Sequence, residues 1–243
     1  MTAIFKREFA SHFHNVRGYA TLSVLIFLSG ILVVYYGFIY ESPSIIYVLS
    51  DLMPVYALVF PILTFKTLSE ERAKGRERLL YSLPLSSFEV VAGKYLAVLA
   101  INAIPMALLA FVPFIYNYLG EVNLGASYLS LLAFFAFVAS LSAVGIFFSA
   151  VIDKSAFILS AGYGYAVFMY LLQVVSLFVK KQHMLFGILP RLLSFVGIFN
   201  RFEPYVYGVF DISSLIYYLS ISVFFVYLSV RSFEKRRLGG ERI

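Results

Sequence analysis

Long uncharged apolar runs alternate with short charged segments along this 243-residue chain. A helix needs roughly 20 apolar residues to cross the hydrocarbon core of a bilayer, and most of these runs are about that long. The shortest run, 52–65, is extended by apolar residues 45–49 on the other side of Asp51. The pattern therefore predicts six spans, with these uncharged runs: 18–40, 52–65, 95–118, 122–152, 155–179 and 212–230.

The composition indicates a membrane protein and excludes a soluble enzyme. Hydrophobic residues make up 61% of the chain and charged residues 13%, whereas soluble domains have about 45–50% and 25%. The mean hydropathy is +0.89. We expect an all-α, polytopic membrane helix bundle that forms one transmembrane domain over residues 1–243.

The positive charges predict the orientation, because Lys and Arg collect in cytoplasmic segments. The net charge is +6, which in a soluble protein would suggest nucleic acid but here indicates topology and no nucleic-acid partner. With both termini in the cytoplasm, all but four of the 19 Lys and Arg residues fall in inner segments. The four are Lys180, Lys181, Arg191 and Arg201, in an outer loop at 180–211. We expect these bases to be solvated, and binding of an anion is the alternative.

The first 17 residues are typical of an amphipathic helix on the inner membrane surface. Their apolar residues Ile4, Phe5, Phe9 and Phe13 fall on one helical face, and their bases would contact anionic lipid. A disordered basic segment is the alternative.

The residue types needed for catalysis or metal binding are scarce. The chain has no Cys and three His, it has no H-E-x-x-H pair, and no Lys or His falls within a predicted span. His12 and His14 are two residues apart, which directs their rings to different sides of a helix. Asp153 and Lys154 are interpreted as a tight inner turn rather than a proton relay. Ser160 and Gly164 are interpreted as a small-residue packing surface.

Prolines interrupt the second and third spans. A span broken by proline can line a cavity, because the freed carbonyl groups need partners other than lipid. Inert kinked helices also contain proline. We take the following four as candidates for the moving walls of a pathway: Pro54, Pro61, Pro105 and Pro113.

The first inner loop, at 66–89, carries the most specific pattern. Its charges are dense from 70 to 78 and then stop. Leu79, Leu80 and Leu83 fall on one side of a short helix that Pro84 helps to end. Ser86 and Glu89 then form a capping box that starts the third span. The exposed leucines need a cover, which would be either the bilayer or a cytoplasmic partner.

This loop resembles the coupling segment of ATP-binding-cassette (ABC) type 2 permeases, which has Gly-x-Glu, Leu-Leu and Leu-Pro-Leu-Ser. The corresponding residues here are Gly75, Glu77, Leu79, Leu80, Leu83, Pro84, Leu85 and Ser86. Arg76 stands where that family usually has Thr. Later residues resemble the branch linked to gliding motility and copper-enzyme maturation, at 199–203, 208–209, 211, 217–220 and 234–237.

The resemblance implies the permease subunit of an ABC exporter in the cytoplasmic membrane, working with a second permease subunit. The chain lacks a P-loop: Gly93-Lys94 has Phe88 where the first Gly should be and Tyr95 where Ser or Thr should be. ATP and Mg²⁺ would therefore be held by a separate cytoplasmic ATPase docked on the leucine loop, with no cofactor in this chain. The alternatives are a non-transporting scaffold that anchors an ATPase to an envelope machine, and a secondary transporter or channel.

Overall fold

The computed structural model describes residues 1–240 apart from 15, 41–42, 74, 76–85, 121 and 182–195, and it contains helices and no strands in this part of the chain. A π-helical turn, Tyr35–Ile39, continues α2, and a 3-10 turn, Asn200–Phe202, precedes α9. The helices are α1 (Thr2–His14), α2 (Val16–Val34), α3 (Ile45–Thr64), α4 (Ser69–Ala73), α5 (Ser87–Leu109), α6 (Val112–Leu119), α7 (Leu124–Val151), α8 (Ser155–Lys181), α9 (Glu203–Val206) and α10 (Ile212–Gly240).

The expected six-span, all-α bundle is confirmed. The segments long and apolar enough to cross a membrane are Gly18–Ile39, Ile45–Arg72, Ser87–Leu119, Leu124–Val151, Ser155–Phe178 and Ile212–Leu238. The third consists of α5 and α6 with a turn at Ala110 and Phe111 between them. Pro113 therefore lies in the first turn of α6, where a helix tolerates proline, and not inside a continuous helix.

Helix α7 is the centre of the bundle. Of the residues in its most apolar stretch, 72% are buried, against 17% for both α2 and α8. Small residues along α7 let neighbouring helices approach closely; a Cβ added to Gly145 would lie 2.8 Å from Cβ of Thr64 on α3. The buried hydroxyls of Ser140 and Ser142 donate to carbonyl groups one turn back in α7, so they need no other partner.

The bundle has two ends of different character. We call the end with α1, α4 and the Asp153 turn the loop end, and the end with Tyr35–Ile39, α6 and α9 the far end. Aromatic rings fill the core toward the far end: Phe134 of α7 lies edge-on to Tyr56 of α3, with ring centroids 5.2 Å apart. Phe202 packs on the same Phe134 ring at 6.2 Å.

The described part of the predicted outer loop, 196–211, packs onto this core. Phe199, Phe202 and Tyr205 are buried, and Tyr218 of α10 donates a hydrogen bond to the carbonyl of Ile198. The Arg201 guanidinium lies 4.9 Å from the ring centroid of Tyr217 on α10, so Arg201 is not simply a solvated base. Arg191 lies outside the described residues.

The predicted N-terminal helix is confirmed as α1. Its aromatic residues form one continuous face, with ring centroids 5.9 Å apart for Phe5 and Phe9 and 5.1 Å apart for Phe9 and Phe13. Ile4 is buried against α5, where a Cβ on Gly93 would lie 3.2 Å from the Ile4 side chain. Helix α1 is thus packed onto the bundle through Ile4.

Helices α3 and α8 are in close contact at Pro61 and Gly162. A Cβ on Gly162 would lie 2.7 Å from Cβ of Pro61. Ser160 and Gly164 lie on the exposed side of α8, and a Cβ on Gly164 would meet nothing within 4 Å. The small-residue packing surface expected at Ser160 and Gly164 is therefore wrong within this chain, since the close contact uses the glycine between them.

This contact predicts opposite outcomes for two matched substitutions. Gly162→Ala places a methyl group against the rigid Pro61 ring and should destabilise the protein by about 1–3 kcal/mol, or roughly 2–4 °C in unfolding temperature per kcal/mol. Gly164→Ala should be neutral or slightly stabilising, because alanine favours helix more than glycine does. Thermal unfolding in detergent tests this, and equal effects of the two substitutions would contradict it.

Candidate functional site

The structure describes both flanks of the predicted coupling loop. Gly75 is exposed and has φ +67°, a left-handed conformation that glycine adopts without strain, and it turns the chain after α4. Glu77, Leu79, Leu80, Leu83 and Pro84 lie outside the described residues, so their assignment to a docking helix stays a prediction. The flanks at 65–75 and 86–94 show how this loop is attached to the bundle.

The predicted capping box begins α5 on the far flank of the loop. The Glu89 backbone N–H donates to Ser86 Oγ at 3.2 Å, and the Ser86 backbone N–H donates to Glu89 Oε2 at 3.1 Å. These reciprocal bonds satisfy two helix-terminal donors. The third span therefore starts at the residue where the loop ends.

A buried cluster of charges joins three helices next to the loop; we call it the Lys94 cluster (Lys94, Glu8, Glu71 and Arg7). The side chain of Lys94 on α5 is 0% exposed. Its Nζ lies 3.0 Å from Glu8 Oε1 on α1 and 3.1 Å from Glu71 Oε2 on α4, and it donates to the Thr67 carbonyl at 2.6 Å. Arg7 Nη2 bonds to Glu71 Oε1 at 2.6 Å and to Glu8 Oε1 at 3.0 Å.

The charges of this cluster balance, since it contains two cations and two carboxylates. Burial by itself raises the pKa of Glu8, but the charge of Lys94 and the bonds from Lys94 and Arg7 outweigh burial and lower that pKa below its ordinary 4.5. Lys94 donates hydrogen bonds to Glu8 and Thr67, and Glu71 adds a second negative charge close to the ammonium group. Lys94 therefore lies inside the third span, contrary to the expectation that no Lys would, and it is held in a structural role.

A second set of contacts closes the end of α7; we call it the Arg72 cap (Arg72, Arg236 and Asp153). The last carbonyl groups of a helix have no partner within it. The Arg72 guanidinium donates to the carbonyls of Ser149, Ala150 and Ile152, the latter two at 3.1 and 2.9 Å. Arg236 of α10 donates to the carbonyl of Val151 at 2.5 Å. Guanidinium groups from two other helices thus bond to these carbonyls.

Asp153 joins the two guanidinium groups of this cap. Its Oδ1 accepts from Arg236 at 2.6 Å and from Arg72 at 2.9 Å. The bond from Arg236 lowers the pKa of Asp153 below its ordinary 3.8, with burial opposing and the charges of both arginines adding to the effect. The interpretation of Asp153 and Lys154 as a tight turn is confirmed, because α7 ends at Val151 and α8 begins at Ser155.

Ser149 fixes the turn between α3 and α4 to the same helix end. Its Oγ donates to the Phe65 carbonyl at 3.1 Å and accepts from the backbone N–H groups of Leu68 and Ser69 at 3.0 and 3.2 Å. Two consecutive residues of α4 belong to these two sets of contacts: Glu71 is part of the Lys94 cluster and Arg72 is part of the Arg72 cap. Helix α4 is thereby bonded to α1, α5 and α7, and through Asp153 to Arg236 of α10.

The candidate pathway prolines lie in different surroundings. Pro54 lines a cavity of about 410 Å³ at the far end, between α3, α8 and the segment before α9. Pro61, about two turns after Pro54 on α3, packs against Gly162 of α8. Pro105 is buried inside α5, and Pro113 is buried at the start of α6. The structure thus places Pro54 at a cavity, and the role of all four prolines stays a prediction.

Neither the Lys94 cluster nor the Arg72 cap was predicted from the sequence. A usable signal was present, because Lys94 is a cation between two strongly apolar stretches, and such a residue needs a partner. The histidines behave as expected: the Nδ1 atoms of His12 and His14 bond to the carbonyls of Glu8 and Ala10. Among the described residues, no group of three or more potential ligands could hold a metal ion.

Removal of Lys94 tests the balance of charge in its cluster. Lys94→Met leaves two largely buried carboxylates with only the half-exposed Arg7 as a cation and should lower the free energy of unfolding by roughly 3–5 kcal/mol. Adding Glu8→Gln and Glu71→Gln should restore most of that loss. Lys235→Met, the same change at an exposed position, should stay within about 0.5 kcal/mol. Denaturant titration in detergent is the measurement. A Lys94→Met protein as stable as Lys235→Met would refute the hypothesis that Lys94 balances the charges of Glu8 and Glu71.

Acid should weaken the same cluster. Because the folded-state pKa of Glu8 is below 4.5, its ionised form contributes stability above pH 4.5, and this contribution is lost as the pH falls through the lowered value. The unfolding temperature should therefore fall between about pH 5 and pH 3. Glu8→Gln should show a shallower fall over that range, and an unchanged slope would count against the assignment.

Comparison with known proteins gives the family. Residues 44–237 match the model of the family described as ABC-2 family transporter protein, whereas no curated protein matched. The matched region contains the loop, the Arg72 cap and every span after the first. Members of this family are typically non-catalytic permeases and imply a partner ATPase. Since the match covers well over half of the chain, the protein belongs to the ABC-2 family of transporter membrane components.

Proposed function

We propose that this chain is the permease subunit of an ATP-driven exporter and works as a dimer with two cytoplasmic ATPase subunits. In this proposal the loop end faces the cytoplasm of the cell, both termini are inside, and the membrane is the cytoplasmic one. The excess of Lys and Arg in the segments at the loop end supports this orientation. The similarity of 199–237 to the gliding-motility and copper-enzyme-maturation branch makes that branch the proposed subgroup.

The observation that carries the proposal is the attachment of the loop. Glu71 and Arg72, the last charged residues of α4 before Gly75, hold ion pairs to Lys94 on α5 and Asp153 after α7. The chain therefore enters the loop from a segment bonded to several helices and leaves it directly into the capped start of α5. A loop attached in this way can transmit the movement of a bound partner to the spans, whereas a loosely attached loop would not.

The partner would bind the leucines of the loop. Leu79, Leu80 and Leu83 would each gain roughly 1.5–3 kcal/mol if fully buried against another protein. Glu77 is close in sequence to these leucines, which favours a partner with basic residues around a hydrophobic groove. Closure of the ATPase pair around nucleotide would displace the loop, and α4 would pass this displacement to α3 and α5.

The proposed pathway lies along α3 and α8. The contact of Pro61 with Gly162 holds these helices together, and the far-end cavity opens beside Pro54. A proline frees the carbonyl four residues earlier and weakens the helix at that point. Helix α3 is therefore the span in which a displacement at the loop would most readily change the helix shape.

Co-purification with the ATPase tests the proposal. The tagged chain extracted from native membranes should bring down a P-loop ATPase, and Leu79→Asp with Leu83→Asp should abolish this association. Leu238→Asp is the matched control, because Leu238 is an exposed leucine on α10, near the loop end; it should leave the association intact.

The outcomes separate the possible functions. Absence of any ATPase would overturn the proposal, and retention of the ATPase by the double variant would overturn the docking site. ATPase activity in proteoliposomes that no substrate stimulates would favour the alternative of a non-transporting scaffold. Ion-coupled flux without any ATPase would favour a secondary transporter.

A further inference from the structure

The cavity beside Pro54 is a pocket of binding-site size at the far end of the bundle. Its volume of about 410 Å³ is within the range of small-molecule sites, roughly 300–1,000 Å³. Helix α3 contributes Asp51 to its lining, α8 contributes Tyr170 and Gln173, and the segment around α9 contributes Phe202, Glu203 and Tyr207. Nothing in the coupling role of the loop end requires a cavity here.

The charged side chains among the described lining residues are acidic. They are Asp51 and Glu203, and none of the described lining residues is Lys or Arg. The nearby guanidinium of Arg201 is stacked on Tyr217 of α10, and Arg201 does not line the cavity. An anionic ligand would meet repulsion from Asp51, whereas a cation would be attracted.

Asp51 is held in place by an aromatic cluster. Tyr36 of the π-helical turn donates a hydrogen bond to Asp51 Oδ2 at 2.6 Å. The Tyr36 ring lies 5.7 Å from the ring of Tyr47, which is one turn before Asp51 on the same face of α3. It also packs against Tyr40 at 5.9 Å. This single bond leaves further acceptor capacity on the carboxylate, which can accept about four bonds.

Aromatic rings also form the walls. Phe199 and Phe202 are buried in the lining, while Tyr207 is 74% exposed at its edge. Tyr170 stands edge-on to Phe199, with ring centroids 6.1 Å apart. Faces of aromatic rings attract cations, and cages of aromatic rings recognise quaternary ammonium groups in other proteins.

The same residues argue against a bare metal ion. Calcium takes six to eight oxygen ligands at short distances, and no cluster of three or more potential metal ligands occurs in the described part of the chain. The buried side-chain nitrogen of Asn200, which also lines the cavity, has no hydrogen-bond partner there. A ligand with a polar acceptor atom would satisfy that donor, which a metal ion would not.

We propose that this cavity binds an organic cation, in which a substituted ammonium or similar group is carried on an apolar body. Asp51 is its counter-ion, Tyr36 positions that carboxylate, and the rings of Tyr170, Tyr207 and Phe202 contact the apolar body. Binding is a property of this chain alone. Only the further step, that the cation is the exported substrate, rests on the proposed function.

A pair of ions of the same shape and opposite charge tests the proposal. Tetraphenylphosphonium and tetraphenylborate have the same four phenyl groups, so they separate attraction by charge from partitioning into detergent. Labelled tetraphenylphosphonium should bind to the purified full chain saturably, and labelled tetraphenylborate should not. The two ions are measured in separate samples, because together they form an insoluble salt. Saturable binding of both ions with equal affinity would overturn the proposal.

Substitutions then locate the site. Asp51→Asn should weaken phosphonium binding roughly tenfold or more, Asp51→Glu should retain most of it, and Tyr36→Phe should weaken it less than Asp51→Asn does. Glu234→Gln, which removes a carboxylate on the part of α10 near the loop end, should have no effect. Unchanged affinity in Asp51→Asn would overturn the role of Asp51 and with it the proposal.

An exposed residue keeps the test decisive if Asp51→Asn does not fold. Tyr207→Leu alters a side chain that is largely in solvent and should lower affinity about two- to fivefold by removing an aromatic face. An unchanged phosphonium affinity in that variant would refute the site. None of these substitutions touches the loop, so co-purification of the ATPase should be unchanged, and the failure of one proposal leaves the other standing.

Discussion

An ammonium group in an apolar interior must be surrounded by acceptors, and this requirement at Lys94 organises the loop end. Lys94 lies two turns inside α5 and has no exposed side-chain surface. The carboxylates that it needs come from α1 and α4. The N-terminal helix is held by Ile4, Phe9 and Phe13 as well as by this charge, and the short α4 is held by charge and by the end of α7.

The second constraint is the unsatisfied carbonyl groups at the end of α7. In a membrane protein these groups must find donors within the protein wherever water is excluded. Arg72 and Arg236 supply them, and Asp153 neutralises part of their charge. Because Arg72 follows Glu71 directly, both constraints are met by one turn of helix. The part of the loop with the leucines therefore follows a segment that is bonded to several helices.

The far end is built on a different principle. There, aromatic side chains carry the packing, and a cavity is lined by Gln173 and by Asp51, which accepts a hydrogen bond from Tyr36. The loop end suits the transmission of force, since its ion pairs and helix caps keep the distances between helices fixed. The far end suits the binding of a ligand, since its aromatic rings and the carboxylate of Asp51 line the cavity without filling it. Helix α3 joins the two ends and contains two prolines along its length.

The hydrophobic pattern by itself determined the six spans, their order and the start of α5 at the capping box. These features depend on local sequence: burial of 20 apolar residues and capping by Ser86 and Glu89 need no knowledge of the neighbours. The aromatic face of α1 was predictable for the same reason, and the residues of the coupling loop were recognisable as a motif.

The tertiary structure alone decided which charges meet. Glu8 and Lys94 are separated by 86 positions and Arg72 and Asp153 by 81, and no local periodicity relates such pairs. It also decided that Gly162 rather than Gly164 contacts α3, because helix rotation is set by the packing of all neighbours together. The cavity beside Asp51 arises in the same way, from three segments that meet only when the bundle is assembled.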